Sequence, residues 1–427
     1  MTLSPKPGVR SPAADGGVEG APSGQRLSWT ALDPGLSRFA GVLLVYVCAL
    51  AGLATLSPFD FDWRDPHGWF WFWSPADVAL NLVLLFPAGF LLRLARAGRG
   101  DRFALDALAL GLAFSAGLEL MQTFSASRVS SPIDVVTNGL GAWAGGFVHA
   151  RLGPWLDRRL HQQLGLHLPL ANILYLVLPL CSLDALCIRD ARELAAVSPL
   201  CAFTAFIAGG LYKHRLREAI GSLPGRYALV IGTLFGLGYL PFAARAPLFG
   251  AGLALASALL TRLAIAARSA LAKQERRFVL LTIRRSLTWF GLFVLALACR
   301  SWLQQPLLAA EFARLPPIAG GEARALVLLR DVSAASLFGY LISELQARSP
   351  LPAARILSRV LWIAGALALA QAALRAQLDR APLDVFAFSA CTVAGLAGGM
   401  IHRAQLRLVR SWGHSLPPPS MLPSASG

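Results

Sequence analysis

The chain has 427 residues, of which 56% are hydrophobic and 15% charged, against about 25% charged in a soluble domain. That composition excludes an ordinary water-soluble fold. The formal charge of +16 would suit a nucleic-acid binder, but the basic residues sit in short clusters between apolar runs, as loops on one face of a membrane do. Nucleic acid is therefore not an expected partner.

Residues 1–38 are rich in Gly, Pro, Ser and Ala and read as a disordered tail. The first apolar run contains Ala49-Leu50-Ala51, a small-x-small pattern of the kind cleaved after signal peptides. The leader before it is too long for that, so the run reads as an uncleaved span. Further runs of roughly 17–22 apolar residues follow, each able to cross about 30 Å of hydrocarbon as a helix. Twelve spans are expected, near 39–57, 77–95, 103–123, 133–150, 168–187, 196–212, 227–244, 246–266, 286–303, 324–342, 358–375 and 383–402. Few alternate with period two, which argues against a β-barrel. The fold class is thus all-α, a polytopic helical membrane protein. An inside amino terminus gives a roughly three-to-one excess of Lys and Arg on inner segments, so both termini are expected in the cytoplasm.

Cys48, Cys181, Cys187, Cys201, Cys299 and Cys391 lie in or beside apolar runs without a CxxC pair. Neither a zinc site nor a disulfide frame is indicated, and no cofactor is expected.

A gapless shift of 250 residues lays "SPIDVVTNGLGAWAGG" (131–146) on "APLDVFAFSACTVAGL" (381–396), and "AGFLL" (88–92) on "FGYLI" (338–342). Three blocks of four helices follow: 39–150, about 165–285 and 286–403, with a tail at 404–427. The first and third are tandem copies. Only the first keeps its polar residues, because Glu119, Asn138 and Arg128 face Leu369, Phe388 and Leu378 at this offset.

In the first block the polar residues converge in depth. Asp77 and Asn81, one turn apart, begin the second span; Glu119 and Gln122 end the third. Residues 124–132 form a hairpin carrying Arg128, and Pro132 suits the first turn of the fourth span, which then carries Asp134 and Asn138. All of these lie within roughly 9 Å of the outer boundary. Four Trp in "FDFDWRDPHGWFWFW" (59–73) fit a membrane interface, and Pro87 should kink the second span. Arg330-Asp331 should pair or snorkel, and "RSALAKQERR" (268–277) reads as an inner loop touching anionic lipid.

Three readings of the cluster stand. It is a hydrogen-bonded lock between helices, with pairs of this kind worth about 0.6–2 kcal/mol. It is a pocket for an envelope lipid or glycan precursor headgroup, for recognition or in a multi-span transporter or flippase of such a lipid, with Arg128 taking a phosphate or carboxylate and Asn81, Gln122 and Asn138 offering amides. Or it is an acid/base enzyme site using Glu119 and Asp134. Ser127, Ser130 and Ser131 lack a neighbouring His, which removes Ser/His/Asp chemistry. A divalent-metal site of Asp77, Glu119 and Asp134 is disfavoured by Arg128.

Residues 39–150 also resemble the VanZ-like membrane proteins. The resemblance rests on "NLVLLFPAGF" (81–90), "ELMQTF" (119–124), Arg128 in the hairpin, and "DVVTNGLG" (134–141). The family takes its name from a member that raises resistance to the glycopeptide teicoplanin, and others accompany surface-polysaccharide genes. The resemblance implies a bacterial inner membrane and an envelope role, with no reaction to inherit. Partners are then membrane lipids, including such a precursor; the oligomeric state and the ligand stay open.

Overall fold

The computed structural model describes residues 34–56, 59–71, 74–96, 103–188, 194–211, 224–239, 247–269, 275–299, 320–346, 351–380 and 382–415. The amino-terminal tail before residue 34, residues 270–274 of the 268–277 loop, the turn at 240–246 and the end of the carboxy-terminal tail lie outside them, as does Arg300. What is described is helical: α1 (Pro34–Leu56), α2 (Pro75–Arg96), α3 (Phe103–Gln122), α4 (Pro132–Cys187), α5 (Leu194–Leu211), α6 (Pro224–Gly238), α7 (Pro247–Ser269), α8 (Glu275–Ala298), α9 (Gly320–Gln346), α10 (Ala353–Asp379) and α11 (Val385–Ser415). Among the described residues, seven helices are long and apolar enough to cross a membrane: Leu36–Leu56, Asp77–Arg96, Leu105–Gln122, Pro247–Ala266, Arg324–Gln346, Ala353–Leu378 and Val385–Leu408. Each coincides with an expected span. Two shorter apolar helices, Ala196–Ile207 and Ser286–Ala298, fall on two more. The protein is a polytopic helical membrane protein.

One feature departs from the expected pattern. The fourth and fifth spans were separated by an inner loop, yet α4 runs unbroken from Pro132 to Cys187, through both proposed block boundaries at 150 and 165. The linking sequence "LDRRLHQQLGLHL" is made largely of good helix formers, which explains the continuity. At about 1.5 Å per residue such a helix is nearly three hydrocarbon thicknesses long. Among the described residues, neither the expected span at 133–150 nor that at 168–187 is one of the helices long and apolar enough to cross a membrane. α11 likewise extends past its expected end to Ser415.

Burial separates the centre from the rim. In α9, 78% of the apolar window is buried, against 17% in α1 and 22% in α2, so α9 is the central helix. It contributes Leu337, Tyr340, Leu341 and Ile342 to a core completed by Leu180, Phe203, Phe290 and Ile401 from α4, α5, α8 and α11. The outward faces keep Val45, Leu80, Val83, Leu248 and Trp362 exposed, as lipid-facing residues should be.

The first four helices pack through small residues. Ala51, Leu85, Ala88 and Ala142 from α1, α2 and α4 make a compact cluster. Around it α2 and α4 touch backbone to backbone: a Cβ on Gly141 would strike the Leu82 carbonyl and one on Gly145 the Phe86 carbonyl. Gly141 and Gly145 are one turn apart, the spacing that lets membrane helices approach closely without a hydrophobic driving force. This contact fixes the rotation of α4 against α2, and with it the direction of the polar residues above. Pro87 sits within α2 as expected, and the helix continues through it.

Candidate functional site

The polar cluster gathers at the end of the bundle formed by the start of α2, the end of α3, the start of α4 and the hairpin between α3 and α4. The two helix starts there are capped. The Ser74 hydroxyl accepts from the Asp77 N–H at 3.1 Å, with Pro75 opening α2. The Ser131 hydroxyl accepts from the Ile133 N–H at 3.2 Å, with Pro132 in the first turn of α4. A capping serine is worth about 1 kcal/mol. Ser131→Ala should therefore lower the unfolding free energy of the detergent-solubilised protein by about that much, readable as a small fall in its thermal midpoint.

Two linked groups of side chains occupy this end. In the first, Asn81 Nδ2 donates to Asp134 Oδ1 at 2.8 Å, and the Asp77 carboxyl is near enough for its charge to act on Asp134. One turn below, Asn138 Nδ2 donates to the Ser115 hydroxyl at 3.0 Å, and that hydroxyl donates to the Asp134 backbone carbonyl at 3.4 Å. Asp77, Asn81 and Asp134 are partly exposed while Ser115 and Asn138 are buried, so the first three form a mouth and the other two its floor. Asn138 Oδ1 is a buried acceptor with no hydrogen-bond partner.

The second group locks the hairpin. Glu119 is only 4% exposed. Its Oε2 accepts from the Ser131 backbone N–H at 2.8 Å, while the Ser130 hydroxyl donates to the Glu119 carbonyl at 2.8 Å. Gln122 Nε2 donates to the Thr55 carbonyl at the end of α1, 2.9 Å away, and its Oε1 is buried without a partner. The Asp77 and Asp134 charges act on Glu119, so the two groups share one electrostatic environment.

A lid of aromatic loop covers the hairpin. The Asp62, His67 and Phe70 N–H groups donate to the Phe124, Thr123 and Ser130 carbonyls at 2.6, 2.6 and 2.9 Å. The Ser125 hydroxyl donates to Asp60 Oδ1 at 2.5 Å. Slight burial disfavours the Asp60 carboxylate, but the Ser125 and Ser127 hydroxyls outweigh it and hold the group below the usual carboxylate range. The contribution of this contact is present at neutral pH and is lost as pH falls through the lowered value. Trp63 packs at a tilt against Phe124 with ring centroids 4.9 Å apart, and Trp63, Trp69, Phe70 and Trp71 are exposed, as interfacial aromatics would be. Phe59 takes a left-handed conformation, φ 64°, uncommon for a bulky residue, and packs against Phe386 of α11 at 4.7 Å.

Of the six residues expected to form the site, the structure brings Asn81, Glu119, Gln122, Asp134 and Asn138 to one end of the bundle. Arg128 is half-buried in the hairpin and engaged there. Glu119 and Gln122 turn toward the hairpin and α1, leaving Asp77, Asn81 and Asp134 as the accessible groups. Sequence reading missed Ser115 and the Thr55 carbonyl. Ser115 lies one turn before Glu119 on α3, and that spacing alone could have marked it. Among the described residues no cluster of His, Cys, Asp and Glu is arranged to hold a metal ion.

Residues 39–152 match the family model described as VanZ/LLP1. No curated protein and no solved structure matches the chain.

Proposed function

Starting from a VanZ-like first block, we propose that this protein recognises the headgroup of an envelope lipid or glycan precursor in a pocket that opens toward the outer leaflet of a bacterial inner membrane. In this reading both termini face the cytoplasm, which places the capped hairpin end on the periplasmic side. The observation that carries it is the convergence of Asp77, Asn81 and Asp134 from two helices at a partly exposed mouth, over a floor whose Asn138 Oδ1 is unpartnered. Acceptors outnumber donors there, so the mouth favours a headgroup rich in hydroxyls or amines, as sugars and aminated precursors are. Arg128 supplies the complementary charge for a phosphate or carboxylate on the same headgroup. Intramembrane ionisable groups that are partnered but still accessible are the kind that bind or relay. A lock between helices would need the same bonds but not the open mouth.

The reading is tested by native mass spectrometry of the detergent-extracted protein. Wild type should carry a polyprenyl or phospholipid adduct that falls at least tenfold in Arg128→Ala and in Asp134→Ala, with both variants still folded by thermal melting. Equal retention by Arg128→Ala removes that residue from the binding claim. Equal retention by both variants overturns the pocket.

A further inference from the structure

The packing of α2 against α4 has a close parallel in α9 and α11. Phe90 of α2 stands edge-on to His149 of α4 with ring centroids 4.9 Å apart, and Tyr340 of α9 stands edge-on to His402 of α11 at 5.0 Å. Gly89 backs onto the Ala142 backbone and Gly339 onto that of Gly395, while Gly145 backs onto the Phe86 carbonyl and Gly398 onto that of Ser336. A Cβ on Gly111 of α3 would meet that of Ala142 at 2.6 Å, and one on Gly395 would meet that of Ala364 of α10 at 2.5 Å. These contacts lay α2 on α9 with a shift of 250 residues, and α3 and α4 on α10 and α11 with a shift of 253.

At those shifts Asn81 falls on Asp331 and Gln122 on Arg375. Asp331 is paired with Arg375 at 2.8 Å and with Arg330 at 3.0 Å, so in α9–α11 the chain itself neutralises the carboxylate at this level. In α2–α4 it does not. Among the described residues, neither Asp77 nor Asp134 is paired with an Arg, Lys or His, although the Asp77 charge acts on Asp134. Two further acceptors at this end are buried without a partner. They are Asn138 Oδ1, one turn beneath Asp134 on the same face of α4, and Gln122 Oε1, at the position that Arg375 takes in α10. Asn138 is 3% exposed and Gln122 8%. Buried acceptors call for donors, and paired carboxylates call for positive charge. Because Asp77, Asn81 and Asp134 are partly exposed, both can arrive from outside. A primary ammonium meets both demands, with one charge and three N–H donors on a compact group.

We propose that this mouth takes the primary ammonium of an aminated lipid headgroup, with Asp77 and Asp134 supplying the counter-charge and Asn138 Oδ1 accepting one N–H. The inference rests on the pocket proposed for the first block and names the group that pocket reads. In α9–α11 the Arg375 guanidinium fills the corresponding place, so one such site per chain is expected. An ethanolamine phospholipid and an amino-sugar glycolipid both present this group.

Delipidated full-length protein tests it by native mass spectrometry with two matched pairs of lipids. One pair is dioleoyl phosphatidylethanolamine and its N-acetyl derivative; the other is glucosaminyl diacylglycerol and N-acetylglucosaminyl diacylglycerol. Wild type should retain the free amine at least fivefold over the acetylated form in one pair, and that pair names the source. Asp77→Asn should cut the preference below twofold while leaving retention of the acetylated lipid as in wild type. Gln122→Arg, which supplies the guanidinium from within as Arg375 does, should do the same. The wild-type comparison needs no substitution, so it decides even where a variant fails to fold. Equal retention of amine and acetylated forms in both pairs, or retention of none of the four lipids, overturns the proposal. So does a preference that survives in both variants, because the amine is then read elsewhere. If the two forms are retained equally and Arg128→Ala still lowers both, the pocket stands and only its ammonium is lost.

Discussion

Asp331→Leu should destabilise the protein by roughly 3–5 kcal/mol, the usual result of removing one partner from a buried ion cluster. Asp331 is 3% exposed on the central helix α9. Its carboxylate accepts from Arg330 Nε and Nη2 at 3.1 and 3.0 Å and from Arg375 Nη2 at 2.8 Å. Arg330 also faces Asp184 of α4 at 3.9 Å, and Asp184 accepts from the Tyr239 hydroxyl at 2.8 Å. Two arginines and two aspartates therefore balance across α4, α9 and α10. Without Asp331, one carboxylate is left for two guanidinium groups, and Arg330 cannot reach water. The double variant Arg330→Met/Asp331→Leu removes a charge of each sign and should recover at least half of the loss. Thermal and denaturant unfolding in detergent measure both. A single-variant loss under about 1 kcal/mol would show that the cluster is hydrated and contributes little.

The second large effect is steric. Gly145→Leu places a side chain where the Phe86 carbonyl of α2 already sits, and a backbone atom cannot turn aside as a side-chain tip can. Overpacking of this kind costs about 1–3 kcal/mol and more when the backbone must shift. Displacing α4 from α2 would also separate Asp134 from Asn81, so lipid retention should fall along with folded yield. Gly117→Leu is the matched control, because a Cβ there meets nothing within 4 Å. It should stay within about 0.5 kcal/mol of wild type. Similar behaviour of the two variants in size-exclusion yield and thermal midpoint would mean that the α2–α4 contact does not set the geometry of the site.

Much of this was legible in the chain. Apolar length alone located the spans that the structure bears out, since a helix must cover a fixed hydrocarbon thickness whatever its neighbours do. Pro132 marked the start of α4, because the fit of a proline to a helix's first turn is a local matter. The convergence of Asn81, Glu119, Gln122, Asp134 and Asn138 followed from a short hairpin, which forces the end of α3 and the start of α4 to one level. The family resemblance over the first block agrees with the match at residues 39–152.

The rest needed the third dimension. Arg330-Asp331 read as a local pair or a snorkelling one, yet both are buried and joined by Asp184 and Arg375 from far along the chain. Nothing in their own neighbourhood announces those partners. The continuity of α4 was hidden because hydropathy reports where a helix meets lipid, not where it stops being a helix.

Composition, span length and hairpin spacing, all properties of a few neighbouring residues, settled that this is a helical membrane protein with a polar level at one end of its first block. Which polar group bonds to which was decided by the rotation of each helix about its own axis. Glycine contacts between α2 and α4 set that rotation, so it exists only once the helices have met.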